Sequence, residues 1–446
     1  MVATRREFLI GAMGAGALGL AACSSSGSGK STAPSSAASV GTTKLSGSIT
    51  VWDFLDEATS KSEDPLFTAA YPNITVKRVH QPAANFNQLL QAALSSRTAP
   101  DALILSAGGP ITQFSSGLEK LDDRLTSDQK DNLAFGPVMS PELDIANGIY
   151  GLPLDDVGPI IFYNKKLFRQ AGLDPDNPPT AWPEIEAAAT ALKGKGITPM
   201  AGGDKEGLEA STWFWILAPM IMKSQDTLDL ANGKLEFNSD PVREVFQHYV
   251  DIAKNGWFQS SWRTDGIFAE NADHFSTGKA GMCLLISSFI PIFAKSLGSD
   301  LGLIQAPGLT AGSKPNYLPY GGGLALSVTK QSRNKDAAYA WVSWRAGTAM
   351  QQRDLNTLSA DAKTSASQQA RLPTDKRIAP TGTAIPAVTD TVAAIKAATS
   401  TYPGAQQLWK TPVMTATLSN FGPVVAGQKS LTDALNALDD AQKTAK

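Results

Sequence analysis

Short apolar runs alternate with amphipathic stretches along most of this chain. In "GSITVWDFLD", Ile49, Val51 and Phe54 form a short apolar run that suits a strand followed by a loop. "DPLFTAAYPNITVKRVHQP" predicts a short helix, a Pro-Asn turn and a second strand carrying Ile74, Val76 and Val79. "NFNQLLQAALSSRTAPDALILS" predicts an amphipathic helix ended near Pro100, then a buried strand from Ala102 to Leu105. Strands that alternate with helices in this way argue for βαβ units and a mostly parallel sheet. Further on, Ile160 to Tyr163 reads as a strand, followed by a helix broken at Gly172 and a new helix from Trp182-Pro183-Glu184. "FSTGKAGMCLLISSF" reads as a helix end and a strand, and "LPYGGGLALSVTKQSRNKDAAYAWVSWRAG" as a glycine-rich strand and a helix. Leu431, Ala434, Leu435 and Leu438 recur at helical spacing, so the tail is an amphipathic helix.

The first residues break this pattern. Thr4-Arg5-Arg6-Glu7-Phe8-Leu9, a Gly/Ala/Leu stretch and Leu20-Ala21-Ala22-Cys23 give a charged region, a short apolar region and small residues at a cleavage point. That order predicts an export signal over 1–22, and the paired arginines suggest the twin-arginine route. Leu20 to Cys23 resembles the lipobox of bacterial lipoproteins, which implies a lipid on Cys23 and an anchor on the outer face of the cytoplasmic membrane. Residues 23–44 are almost all Ser, Gly, Ala and Thr, a flexible linker. Gly29-Lys30-Ser31 could end a phosphate-binding loop, but Ser24 stands where the first glycine is needed and no apolar strand precedes it. The stretch is a tether.

Composition narrows the function. A chain of 446 residues is long enough for two or more domains of ~100 to 200 residues each. A formal charge of −2 gives no reason to expect a nucleic-acid partner or a polybasic membrane patch. With Cys23 spent on the anchor, Cys283 has no intramolecular disulfide partner and reads as a buried small hydrophobe. Beyond the signal no apolar run reaches the ~18 residues that span a bilayer. The three histidines, His80, His248 and His274, are far apart, and there is no HExxH motif or cysteine cluster, so neither a metal nor a cofactor is expected.

Several segments resemble a known family. "YGLPLDDVGPIIFYNKKLFRQAGLDPDNPPTAWPEI", "FSTGKAGM", "GGGLALSVTKQSRNKDAAYAWVSW", "PDALILS" and "SLTDALNAL" are similar to stretches of the extracellular solute-binding proteins of bacterial ABC importers, the maltose-binding type. Lys166 and Ala181 depart from that pattern, standing where Asp and Thr are usual. The resemblance implies an α/β fold of the type II periplasmic-binding-protein kind, with two hinged lobes built from discontinuous segments. One lobe is expected from 45–158 and 303–324, the other from 159–302 and 325–446. Crossings are expected near Val157 to Ile161, near Leu301 to Gln305, and just after Gly321-Gly322-Gly323. The implied function is a monomeric, non-enzymatic receptor that captures a carbohydrate in the cleft and delivers it to an ABC permease. A polyol, glycerol phosphate or polyamine receptor, and an extracellular glycoside hydrolase, are the alternatives.

Sugars present hydroxyls around an apolar face, so their sites pair aromatic rings with planar polar groups. Trp52 and Asp53 supply both at the end of the first strand; a core Trp with a capping Asp is the competing reading. Asp156 is favoured over Asp155 as an acidic contact, because adjacent strand residues point to opposite sides. Ser287 and Phe289 follow a predicted strand, with Phe289 at a position where the family often has a stacking Trp. Ser106 ends another strand, where α/β sheets meet ligands. Trp213 and Trp215 could stack or belong to the core, and Gly322 and Gly323 could admit backbone close to a ligand or serve a hinge. Trp409 and Arg371 are further candidates. A hydrolase would need two facing carboxylates, for which Asp53 and Asp156 are available.

Overall fold

The computed structural model describes residues 45–55, 57–360, 371–381, 385–398 and 400–445. The expected export signal at 1–22, the lipidation site Cys23 and the linker at 23–44 lie outside those residues.

β1 (Gly47–Asp53) buries Ile49, Val51 and Asp53 on one face, the period of two that a strand imposes. β2 (Ile74–His80) runs parallel on one side of it and β3 (Ala102–Ser106) parallel on the other. The helices Glu57–Ala70 and Phe86–Ser95 make the crossovers that parallel strands require. After β4 (Leu152–Pro153) the chain passes through β5 (Asp156–Val157) into β6 (Pro159–Asn164), β7 (Thr198–Ala201), β8 (Ala280–Ile286) and β9 (Leu301–Ile304). It returns through β10 (Gly321–Gly322) into β11 (Leu324–Val328). Hydrogen bonding sorts the strands into a five-stranded sheet β2-β1-β3-β11-β4, a four-stranded sheet β7-β8-β6-β9 and a ribbon of β5 with β10. Each sheet with its helices is one lobe, and the ribbon joins them.

The mostly parallel sheet holds with one reversal: β2, β1, β3 and β4 run the same way and β11 runs against them, as β6 runs against β7, β8 and β9 in the second sheet. Strands that arrive from the other lobe enter at the crossing edge and so run against those that end there. The segment assignment is corrected. β9, expected at a crossing and in the first lobe, pairs with β6 in the second sheet, whereas β11 and the helix Lys335–Arg345 belong to the first. The return crossing therefore falls at 321–323. A third passage follows 371–381, where Asp156 donates its N–H to the Leu372 carbonyl and Ala134 to Thr374, before the helix Pro386–Ala397 packs on β9.

The first lobe packs Ile49, Val51, Ile104, Leu326 and Val328 beneath Trp341 of the helix Lys335–Arg345. In the second, the helices Glu209–Ile221, Asp240–Lys254, Thr411–Val425 and Leu431–Thr444 gather Phe214, Phe246, Trp409 and Phe421. The tail helix buries Ala434, Leu435 and Leu438, as the spacing predicts. Cys283 is buried and free, its thiol donating to Asn271 Oδ1 at 3.2 Å.

A buried ladder of alternating charge runs through the first lobe. Arg78 Nη1 donates to Asp53 at 3.0 Å and its Nη2 to Glu63 at 3.2 Å; Arg345 Nη2 reaches Glu63 at 2.9 Å and Asp354 at 2.7 Å. Arg371 adds a contact to Glu63 at 3.4 Å. Burial pushes the Glu63 carboxyl up, but Arg345, Arg371 and Arg78 outweigh it and hold the group below its usual range. Arg345→Met takes the nearest cation from both Glu63 and Asp354, leaving them only the longer arginine contacts, and is expected to destabilise the protein by up to ~3–5 kcal/mol in urea unfolding, whereas a loss under ~1 kcal/mol would show that the ladder is not coupled.

Candidate functional site

The crossing ribbon brings the ends of one strand from each sheet to the same seam. Leu324 is the register partner of Ser106 at the end of β3, and the Ala107 N–H donates to the Gly323 carbonyl at 3.1 Å. On the other side Pro159 pairs with Ile286 at the end of β8. The Ser287 N–H donates to the Gly158 carbonyl at 2.8 Å, and the Gly158 N–H to Ser287 Oγ at 3.4 Å. Ser106, Asp156, Ser287, Gly322 and Gly323 are thereby gathered around one line, where the carboxyl ends of strands from two sheets meet.

The two glycines are packed from within the protein. A methyl group on Gly322 would lie 2.5 Å from Met139 Cε, and one on Gly323 would lie 2.7 Å from Val157 Cγ1. The Met139 methyl could swing aside for a side chain at 322, but the stiff Val157 cannot at 323, so Gly323 is the one the ribbon's packing requires.

Asp155 and Asp156 are both buried but differ in partners. Asp155 Oδ1 accepts the Leu324 N–H at 2.9 Å; burial raises its pKa against the pull of Arg371. Asp156 Oδ1 has no partner, and burial, then the charge of Asp155, pushes its pKa up to about 7. Tyr320, near Asp156, donates its hydroxyl to Gln305 at 3.0 Å.

The other expected residues sit differently. Asp53 faces the interior, fully buried, with Oδ1 held by the Leu55 N–H (3.1 Å) and set against His80 Nδ1 (3.1 Å), and Oδ2 held by Ser60 and Arg78. It is the first rung of the charge ladder and is not presented to a solute. Trp52, its neighbour, lies half-buried on the opposite face of β1. Trp213 is fully buried, its indole N–H donating to Glu209 Oε1 at 3.1 Å and its ring meeting Trp182 and Phe258. Phe289 is buried too, stacked on Phe268 with centroids 6.0 Å apart; Phe268 is 49% exposed and was not singled out from the sequence. Trp409 lies among Phe214, Phe237 and Phe246, and Arg371 is held by Glu63 and Asp354.

Trp215 behaves otherwise. It is 4% exposed, yet its indole N–H has no partner and its ring joins none of the apolar clusters. Its Nε1 lies over Gly404, where a methyl group would come within 1.8 Å. The adjacent "TYPGAQQLW" carries a Pro-Gly turn signal, but nothing local places it against residue 215. Among the described residues there is no group of three or more His, Cys, Asp or Glu side chains fit to hold a metal, and no helix is long and apolar enough to cross a membrane.

Two lobes joined by side-by-side crossings define a hinged binding protein. The family model of the bacterial extracellular solute-binding proteins matches residues 52–352, and the chain belongs to that family, one of receptors and not of enzymes. The sn-glycerol-3-phosphate-binding periplasmic protein of Brucella abortus is 32% identical over 181 residues, 39% of this chain and 39% of that protein's own length. An ABC transporter extracellular-binding protein of Pyrococcus horikoshii is 27% identical over 192 residues, 41% of this chain and 42% of that protein. Among solved structures, a chitin oligosaccharide binding protein superposes with a TM-score of 0.75 at 19% identity, covering 90% of this chain and 99% of its own. The cyclic alpha-maltosyl-1,6-maltose binding protein of Arthrobacter globiformis does so with a TM-score of 0.69 at 22% identity, covering 90% and 99%. These likenesses establish the periplasmic-binding-protein fold.

Asp156 makes stability depend on pH. An aspartate whose pKa is raised in the fold holds its proton more tightly there than in the unfolded chain, so its contribution is full below ~4 and is lost as pH rises through about 7. Asp156→Asn removes that loss. The variant is expected to be more stable than the parent at pH 8 by up to about 4 kcal/mol, with the gap closing towards pH 4, as read by urea unfolding across pH. An equal gap at both ends would contradict the assignment.

Proposed function

We propose that this protein is an extracytoplasmic receptor that captures a carbohydrate between its lobes and hands it to an ABC permease, tethered to the membrane by a lipid on Cys23. The observation that carries this reading is the hinged fold, shared over 90% of the chain with structures described as sugar-binding. The chemistry at the seam supports it. Ser106 and Ser287 offer hydroxyls, the Trp215 indole N–H is an unpaired donor, and Asp156 Oδ1 an unpaired acceptor. These neutral and acidic groups suit hydroxyl recognition, and the half-buried Trp52 ring is the candidate for stacking. The tether and the twin-arginine export route rest on the sequence pattern of 1–44.

The names of the Brucella relatives favour sn-glycerol 3-phosphate as a second reading. Charge opposes it: a phosphate wants free guanidinium or ammonium groups, and Arg371 is already paired with Glu63 and Asp354 beside the buried Asp155.

A thermal-shift screen of mono- and oligosaccharides, polyols, glycerol phosphates and polyamines tests both. A carbohydrate at a hundredfold excess over its dissociation constant is expected to stabilise the protein by ~2.7 kcal/mol, and Trp215→Ala to abolish the shift. A shift with glycerol phosphate and none with sugars would replace the carbohydrate reading by the second.

A further inference from the structure

We propose that Tyr402–Trp409 is a latch by which the second lobe holds the first, with Gln407 as its positioning residue; the proposal rests on the two-lobed receptor reading above. The segment belongs to the second lobe. Its short helix Ala405–Leu408 packs on the helix Glu209–Ile221, and Trp409 sits among Phe214, Phe237 and Phe246 with centroids 5.1, 5.3 and 6.4 Å away.

Its contacts reach out of that lobe at two glycine seats. Gly108, in the turn after β3 of the first lobe, has φ +79°, and a methyl group there would lie 1.7 Å from the Gln407 carbonyl oxygen. The next residue, Gly109, faces the Trp409 carbonyl, with a methyl at 3.3 Å from it. The turn is fixed from its own side, since the Gly108 N–H donates to the Val138 carbonyl at 2.7 Å. The second seat is on the ribbon, where a methyl on Gly321 would lie 2.6 Å from Pro403 Cβ. Gln407 ties the two together: its Nε2 donates to the Gly322 carbonyl at 2.9 Å and its Oε1 accepts the Gly404 N–H at 3.1 Å.

The mechanical consequence follows from where the seats are. The ribbon moves with both lobes, so contacts at Gly321 and Gly322 survive a hinge rotation. Gly108 is off the ribbon, on the first lobe itself. A rotation that separates the two lobes at this point must draw the Gln407 carbonyl out of the Gly108 turn. Because the seat is backbone against backbone, any side chain at 108 blocks it. The apolar cluster that holds Leu105, Ala107 and Ile111 of the first lobe also holds Leu408 and Trp409 of the second, so the latch sits within packing that spans both lobes. The latch thus favours the lobe arrangement of this structure over any rotated one.

The test uses the full chain without solute. Spin labels are placed one on each lobe, at Lys77→Cys and Lys195→Cys with Cys23→Ser, and distances are read by double electron–electron resonance. The parent is expected to show one dominant distance, that of this structure, and Gly108→Ala and Gln407→Ala each to shift or broaden it. Gly172→Ala is the control. It imposes a side chain at φ +80° with nothing within 4 Å, so it carries the backbone strain without the clash and should keep the parent distance. If Gly108→Ala does not fold, Gln407→Ala decides alone. Parent-like distances in the folded latch variants would overturn the proposal. A failure of the carbohydrate reading shows separately, as a parent protein that no sugar stabilises.

Discussion

Everything in this molecule depends on the chain passing from lobe to lobe along one narrow line. At that line Asp156 has Gly322 on one side, as its register partner in the ribbon, and Leu372 on the other, whose carbonyl accepts its N–H. Three passages side by side leave space for little besides backbone, which is why Gly322 and Gly323 are met so closely by Met139 and Val157. The same narrowness buries two adjacent carboxyl groups away from water. The raised pKa of Asp156 is the electrostatic cost of building a hinge there.

Each sheet ends a strand against that line, β3 at Ser106 and β8 at Ile286. The first lobe stiffens its half with charge. Asp53, Arg78, Glu63, Arg345 and Asp354 alternate in sign through the interior, linking the end of β1 to the helices Glu57–Ala70 and Lys335–Arg345. Such a ladder contributes little net stability over apolar packing, yet it tolerates no missing rung. The second lobe relies on aromatic packing instead, with Trp182 stacked on Trp257 and Phe246 on Phe421. A rigid half on each side lets a rotation at the ribbon move whole lobes.

The local elements were legible in the sequence, because periodicity and turn residues are local signals. β1, β2, β3, β8 and the tail helix fall where the apolar pattern places them. Sheet membership was not legible. β9 and β11 are both short apolar runs, and nothing within either says which lobe it joins, so the two came out exchanged. The site divided along the same boundary. The serines and glycines at strand ends come to the crossing, since strand termini and crossings were both readable. Asp53 went astray because alternation on β1 turns it to the face opposite Trp52, into contact with Arg78, a partner 25 residues on. Trp213 and Trp215 share a helix and differ only in what packs against them: Glu209 takes the N–H of one, Gly404 underlies the other.

The central claim is that a carbohydrate is held between the lobes by groups from both. Hydrogen–deuterium exchange of the full chain, with and without a carbohydrate that stabilises it, tests this most directly. Simultaneous protection of 106–109 in the first lobe and 287–289 in the second is the result expected. Protection confined to one lobe, or none at either strand end, would contradict it.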